Sequence, residues 1–375
     1  MLIKMNRISR SAATILCAIC CVWIGESSTT AQSTEPSAPK TAPATKGAQA
    51  SPSAMVAVPA KAKAKTQVFV LPLDGMVGIG LRHDEMETLE KIADIYGPHQ
   101  VIILRINSNG GLVIEGDKIG TTLSRIKQKH RLVAWIEKAI SGGAFTGLFC
   151  NEMYFMPEAT LGSITMMSGG TEAKEVREDW KERVAEACAA GGHDPLIGPA
   201  MVHSEVELSY ERDGDKVTFY NDVKHTHVLS NNVENLDFNA VNALHCNFSD
   251  GTAATEADLF REMGVDDPSK FEINSAGKKI HKDWQKLIAD CKQQVPLLLR
   301  KRDIEGQSQG GIPFLQARIR NTEAIVSWFK KCSPEMTYGG LNINERAIEQ
   351  LKEEIKQMRN LIKDMQAAAA ENPGG

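Results

Sequence analysis

Val101-Ile102-Ile103-Leu104-Arg105-Ile106-Asn107-Ser108-Asn109-Gly110-Gly111 is an aliphatic, β-branched run that stops at two glycines. Without polar alternation, residues 101–106 predict a strand buried on both faces, the kind found in parallel sheets. The pattern repeats outward from there. Residues 68–73 read as a strand ending at Asp74-Gly75, and residues 84–96 place Met86, Leu89, Ile92 and Ile95 at helical spacing. Beyond the glycines, residues 114–129 read as helix, 132–136 as strand, 142–150 as a short helix and 153–156 as a further strand. Strands alternating with helices predict an α/β fold with a mainly parallel sheet and flanking helices.

Residues 172–190 read as a third long helix. Residues 205–220 alternate around Asp213-Gly214, a hairpin signal. Residues 222–250 are polar and carry no clear period, and residues 255–263 read as the helix that closes the domain. Past Asp267 the pattern is helical throughout, broken by the glycine-rich stretch 307–312. There Ile348, Leu351, Ile355, Met358, Ile362 and Met365 step by three and four, an a/d seam. Such a seam either packs on its own chain or holds subunits together.

The N-terminus reads differently. Lys4, Arg7 and Arg10 precede an apolar stretch over 12–24, and Thr29-Thr30-Ala31 fits a cleavage site. That is the layout of a secretory signal peptide over 1–31, or of an uncleaved anchor. Residues 32–66 collapse to Ala, Pro, Ser, Thr and Lys without an aromatic residue, and are expected to form a flexible tether. The expected organisation is thus leader 1–31, tether 32–66, an α/β domain over 67–267 and a helical C-terminal region over 268–375. The protein is expected to be exported, periplasmic or membrane-anchored.

Of the 375 residues 42% are hydrophobic, which supports a packed core and excludes wholesale disorder. With 43 basic and 47 acidic side chains the net charge is −4, and a basic nucleic-acid-binding protein is excluded. Past the leader, Cys150, Cys188, Cys246, Cys291 and Cys332 are odd in number and form no Cys-x-x-Cys pair. Neither a disulfide scaffold nor structural zinc is expected. His225-x-His227 lacks a defined carboxylate partner and is read as surface, so no metal is assigned.

Three turns carry the chemistry. They are Ser108-Asn109-Gly110-Gly111, Ala139-Ile140-Ser141-Gly142-Gly143-Ala144 and Pro157-Glu158-Ala159-Thr160-Leu161-Gly162-Ser163-Ile164. Each follows a strand, and an α/β sheet lines such turns along one crevice where ligands bind. Glycines admit a substrate backbone and leave N–H groups free to face it. Ser141 opens a helix beside orphan N–H groups, where a nucleophile and an oxyanion hole can arise together.

In running order these motifs resemble the signal peptide peptidase A and NfeD-type membrane-associated serine proteases, which have the ClpP/crotonase-like fold. The resemblance is good over 67–194 and looser over 251–266. It implies that Ser141 is the nucleophile and that Gly110, Gly111 and Gly142 form the oxyanion hole, with Asn109 replacing the usual proline. No histidine lies between His130 and His193, which speaks against a Ser-His-Asp triad. The membrane-associated relatives use a Ser-Lys dyad, which points to Lys174 as the base, with Lys181 in reserve. The implied protein is a serine peptidase without cofactor, acting on signal-peptide remnants or membrane-protein fragments. A homo-oligomer and peripheral membrane association are implied too. Two alternatives stand: a catalytically inactive ClpP-fold assembly or binding module, and a crotonase-type acyl enzyme.

Overall fold

The computed structural model of the chain describes residues 65–371. The expected leader and nearly all of the expected tether lie outside the described residues. The chain runs β1 (Thr66–Asp74), α1 (His83–Ile95), β2 (Val101–Ser108), α2 (Val113–Ile126), β3 (Arg131–Ile140), α3 (Gly142–Leu148), β4 (Glu152–Phe155) and β5 (Thr160–Gly162). It continues through β6 (Met167–Ser168), β7 (Thr171–Glu172), α4 (Arg177–Gly191), α5 (Ile197–Val202), β8 (Leu208–Asp213), β9 (Lys216–Tyr220), β10 (His227–Ser230), β11 (Asp237–Asn239), α6 (Ala240–His245), β12 (Gly251–Thr252), α7 (Glu256–Glu262) and β13 (Phe271–Asn274). Three long helices close it: α8 (Ala276–Ile304), α9 (Gly311–Tyr338) and α10 (Glu345–Glu371).

The main sheet has eight strands, ordered β11-β5-β3-β2-β1-β13, with β4 also on β3 and β12 on β4. All its pairings are parallel except β11 on β5. This is the expected α/β architecture with a helical C-terminal extension. The unbroken apolar runs have a direct cause. Successive side chains leave a strand on opposite faces, and here both faces are covered. Phe69, Leu71, Ile102, Leu104 and Ile106 enter a core shared with Met86, Leu89, Ile119 and Trp180. Their neighbours Val68, Val70, Val101, Ile103 and Val133 enter a second core with Leu259 and Met263 of the α7 segment.

Two stretches differ from the sequence reading. The helix expected over 172–190 starts only at Arg177, and Lys174–Val176 is a 3-10 turn. Gly169 and Gly170, at φ 58° and 87°, fold the preceding residues into the β6–β7 hairpin, so Glu172 is strand rather than helix. Past Asp267 the chain is not helical throughout. Phe271–Asn274 adds β13 to β1 in parallel, and the sheet therefore extends past the boundary expected at 267. A four-residue edge strand is too short to show a period.

The C-terminal seam finds its partner within the chain. Ile348 and Leu351 of α10 are buried with Ile288, Val295 and Ile325 of α8 and α9. Ile355 and Met358 pack with Ile319 of α9. The first four seam positions are therefore covered by α8 and α9, and Ile362 packs against the same cluster as Ile355 and Met358.

Helix α8 joins this layer to the sheet through an ion cluster around the buried His281. His281 is 5% exposed; its Nδ1 lies 2.8 Å from Glu85 Oε1, and its Nε2 3.4 Å from Asp74 Oδ2. Burial alone would push the imidazole down, but hydrogen bonds to Asp74 and Glu85 and their charges outweigh it and hold His281 up at about 9. The hydrogen bond from His281 holds Asp74 below the usual carboxylate range, whereas burial pushes Glu85 up. A cation held above its ordinary value stabilises fully below that value and loses the contribution as pH rises through the folded one. Unfolding in urea is therefore expected to show wild type losing on the order of 2 kcal/mol relative to His281→Gln between about pH 7 and pH 10. Parallel pH profiles for the two proteins would remove His281 as the source.

Candidate functional site

β3 ends at Ile140 and α3 begins at Gly142, so Ser141 alone makes the turn. Its backbone sits at φ 54°, ψ −120°, outside the regions open to L-residues, a conformation that costs about 1–3 kcal/mol. The surroundings enforce it. Ser141 N–H donates to Gly162 C=O at 2.9 Å, and Phe145 N–H donates to Ser141 C=O at 2.9 Å. Just before the turn, Ala139 and Ile140 pair with Leu161 and Gly162 of β5. Behind it Gly143 packs so closely that a Cβ there would stand 3.0 Å from Ser108 C=O. The Ser141 hydroxyl makes no capping bond to α3. It serves no structural purpose that the turn requires.

The glycine turn after β2 lies against this serine. Gly110 has φ 97°, and a Cβ on it would be 2.6 Å from Ser141 Cβ and 2.9 Å from Ser141 Oγ. The turn is held from the side by the loop after β1. Val77 N–H donates to Gly110 C=O at 2.9 Å, and Leu112 N–H donates to Val77 C=O at 3.0 Å. In such a parallel bridge the Gly111 N–H points away from Val77, on the serine side. Gly142 is the first residue of α3, so its N–H has no intrahelical acceptor. The two amides are close, since a Cβ on Gly142 would lie 3.4 Å from Gly111 N. Ser141, Gly110, Gly111 and Gly142 are thus brought together.

The candidate bases are not. Lys174 is exposed in its 3-10 turn, and its side chain makes no hydrogen bond or ion pair among the described residues. Lys181, on α4, pairs with Glu178 at 3.0 Å. No hydrogen bond joins either lysine to Ser141 among the described residues. The segment carrying Lys174 is fastened on both sides. Arg177 grips Glu172 at 2.5 and 2.8 Å and holds its carboxyl below the usual range, while Trp180 Nε1–H donates to Ile164 C=O at 2.6 Å.

Two residues at the site, Val77 and Asp237, escape the sequence reading. Val77 bridges the glycine turn. Ser163, at φ 48°, donates its hydroxyl to Asp237 Oδ2 at 2.9 Å, and burial pushes the Asp237 carboxyl up. Asp237 stands opposite Gly162, whose carbonyl anchors Ser141. The glycine spacing Gly75, Gly78, Gly80 was the available sign of a tight loop around Val77. Asp237 lies in the unassigned 222–250 stretch and had no such sign.

Beside the turn opens a cleft of about 590 Å³, with Gly78 and Leu112 on one wall and Phe329, Pro334 and Tyr338 of α9 on the other. Arg82 and Glu115 lend it charge. His83, Asp84 and Glu87 offer ligand atoms within 4.8 Å of one another. Arg82 already pairs with Asp84 and Arg125 with Glu87, so these carboxylates are neutralised without a metal. His225 stacks on Tyr220 and His227 on Tyr210, and the two rings therefore do not converge on a common point.

The family model for the NfeD1b N-terminal domain matches residues 67–273, more than half of the chain. The chain belongs to the NfeD1b family. The match supports the NfeD side of the resemblance rather than signal peptide peptidase A, and it ends within β13. Membrane protein NfeD1b of Bacillus subtilis (strain 168) is 24% identical over 218 residues, 56% of this chain and 45% of that protein. The chain thus matches less than half the length of this NfeD1b relative. Among the described residues no helix is long and apolar enough to cross a membrane.

Solved structures with partial similarity include the 1510-N membrane-bound stomatin-specific protease, in a mutant form bound to a substrate peptide. It is 14% identical with a TM-score of 0.41, covering 59% of this chain and 99% of that one. ClpP1 from Listeria monocytogenes is 18% identical with a TM-score of 0.34, covering 51% of this chain and 94% of that one.

Proposed function

We propose that this NfeD1b domain is a serine peptidase with Ser141 as nucleophile. The observation that carries the reading is the strained Ser141 turn, whose hydroxyl caps nothing and which stands beside the adjacent amides of Gly111 and Gly142. In this reading Ser141 Oγ attacks a peptide carbonyl, and the two N–H groups receive the oxyanion, a contribution of about 3 kcal/mol per donor. Gly110, expected in the oxyanion hole, donates its N–H to Ser108 Oγ at 3.1 Å and in this reading gives the serine room instead. Lys174 takes the hydroxyl proton and returns it to the leaving amine. A lysine acting as general base must be uncharged to accept the proton, so in this reading the working site encloses Lys174 beside Ser141. Substrates in this reading are extended segments of signal-peptide remnants or membrane-protein fragments, lying in the cleft beside Leu112. Export, membrane association and homo-oligomerisation complete the reading.

A non-catalytic assembly or binding module is the second reading. It draws on the separation of Lys174 and Lys181 from Ser141. A fluorophosphonate, which needs an activated serine, distinguishes the two: labelling at Ser141 supports the peptidase, and an unlabelled chain supports the module. Lysine variants then address the base. Lys174→Ala is expected to lower peptide cleavage by about a hundredfold or more at every pH, and Lys181→Ala to keep most of it. The reverse pattern would move the base to Lys181.

A further inference from the structure

We propose that Trp284 and Gln285 are positioning residues for the oxyanion hole, so that the helical extension beyond the family domain is part of the site's scaffold. The proposal rests on the peptidase reading above. Both side chains stand on α8, which begins at Ala276, past the family match that ends at residue 273. Trp284 Nε1–H donates to Ile79 C=O at 2.7 Å. Gln285 Nε2–H donates to Gly80 C=O at 3.3 Å and to Asp74 C=O at 3.4 Å. Both thus hold the loop between β1 and α1 by its backbone.

That loop reaches the oxyanion donors directly. Ile79, Gly80 and Leu81 all donate their N–H groups to Met76 C=O, and Gly78 N–H donates to Leu81 C=O, so residues 76–81 move as one tight turn. Val77 within it holds Gly110 and Leu112 by backbone bonds on either side of Gly111. Its Cγ2 also lies 3.2 Å from the point where a Cβ on Gly142 would be. One residue therefore touches the supports of both N–H groups. The loop's own sequence cannot fix it, because Gly75, Gly78 and Gly80 give it wide conformational freedom.

The extension supplies the missing constraint in two further ways. The Ile79 side chain is buried in the core formed by α8, α9 and α10, with Ile288, Val295 and Ile325. The Arg82 guanidinium lies 4.4 Å from the Trp284 ring centroid and holds the indole from the loop side. Without α8 the Ile79 and Gly80 carbonyls would lose these donors, and Ile79 would lose its core.

The test uses the full chain. Trp284→Phe keeps an aromatic ring and removes the N–H donor, and Gln285→Leu removes the second set of bonds. Three readouts are compared with wild type: kcat and KM on an unstructured peptide, fluorophosphonate labelling at Ser141, and amide hydrogen exchange over 76–82 and 109–113. A positioning role predicts that kcat and labelling fall roughly tenfold with KM within about twofold, since small misplacement of donors is felt in the transition state. Exchange over both segments should quicken while the β2 and β3 strands keep their protection. If wild-type kcat, labelling and exchange persist in both variants, the inference is overturned, and faster exchange with unchanged kcat overturns it too. If the wild type is neither active nor labelled, the peptidase reading fails, and exchange alone decides whether α8 holds the glycine turn. Should Trp284→Phe fail to fold, Gln285→Leu decides by the same readouts.

Discussion

Ser141→Ala is expected to abolish fluorophosphonate labelling and to cut peptide hydrolysis by about four orders of magnitude or more, because the Ser141 hydroxyl is the nucleophile of the proposed site beside the Gly111 and Gly142 amides. The same change should leave stability within about 0.5 kcal/mol of wild type, an unusual pairing for a serine at the start of a helix. A serine in that position normally caps its helix, and its loss then costs about 1 kcal/mol. Here the hydroxyl makes no capping bond, and the bonds that hold the turn are the residue's own N–H and C=O, which alanine keeps. Alanine also retains the strained φ of 54°, so the turn gains no relief. Urea unfolding and active-site labelling on the same preparations separate the two effects. Labelling that persists in the variant at the wild-type rate would move the nucleophile elsewhere; a large stability loss would mean that the hydroxyl is structural after all.

The sheet was legible because both its faces are covered. Residues 101–106 carry no alternation, and the structure sends their side chains alternately into two cores. The serine and glycine turns were legible for a related reason: each sits where a strand ends and a helix begins, so glycine and serine interrupt an otherwise apolar pattern. The base was much harder to read. Lys174 lies in a segment whose local sequence, rich in Glu, Lys and Ala, favours helix, yet Gly169 and Gly170 turn it into a hairpin and a 3-10 turn. β13 escaped because pairing with β1 makes it a strand, and its own four residues hold no such information. Asp237 and Val77 escaped for the same reason. Their positions follow from long-range pairing, β11 on β5 and Val77 on Gly111, which no local window contains. The a/d seam of α10 was visible, but not its partner. An apolar face specifies that it will be buried, and only the path of α9 decides against what.

Gly111→Ala should be strongly damaging, although it adds a single methyl group. Its Cβ would stand 2.3 Å from Val77 C=O and 2.7 Å from Val77 N, both backbone atoms that no rotamer change can move. The bridge between the two loops must open, and with it go the bonds from Val77 N–H to Gly110 and from Leu112 N–H to Val77. Stability should fall by about 2–4 kcal/mol, the range for overpacking combined with lost backbone bonds. Hydrolysis should fall further than folding, by at least about a hundredfold in kcat, because the Gly111 N–H would no longer face the oxyanion. Gly110→Ala should give a comparable loss by a different route, at φ 97° and with its Cβ against the Ser141 side chain. Gly147→Ala is the control. It lies inside α3, only six residues from Ser141, but its Cβ would meet Leu161 Cδ1 at 3.4 Å, close to ordinary contact. Alanine there should be near neutral or gain several tenths of a kcal/mol from helix propensity. If Gly111→Ala folds and cleaves like Gly147→Ala, its amide is not an oxyanion donor, and the site must be rebuilt around Gly142 alone.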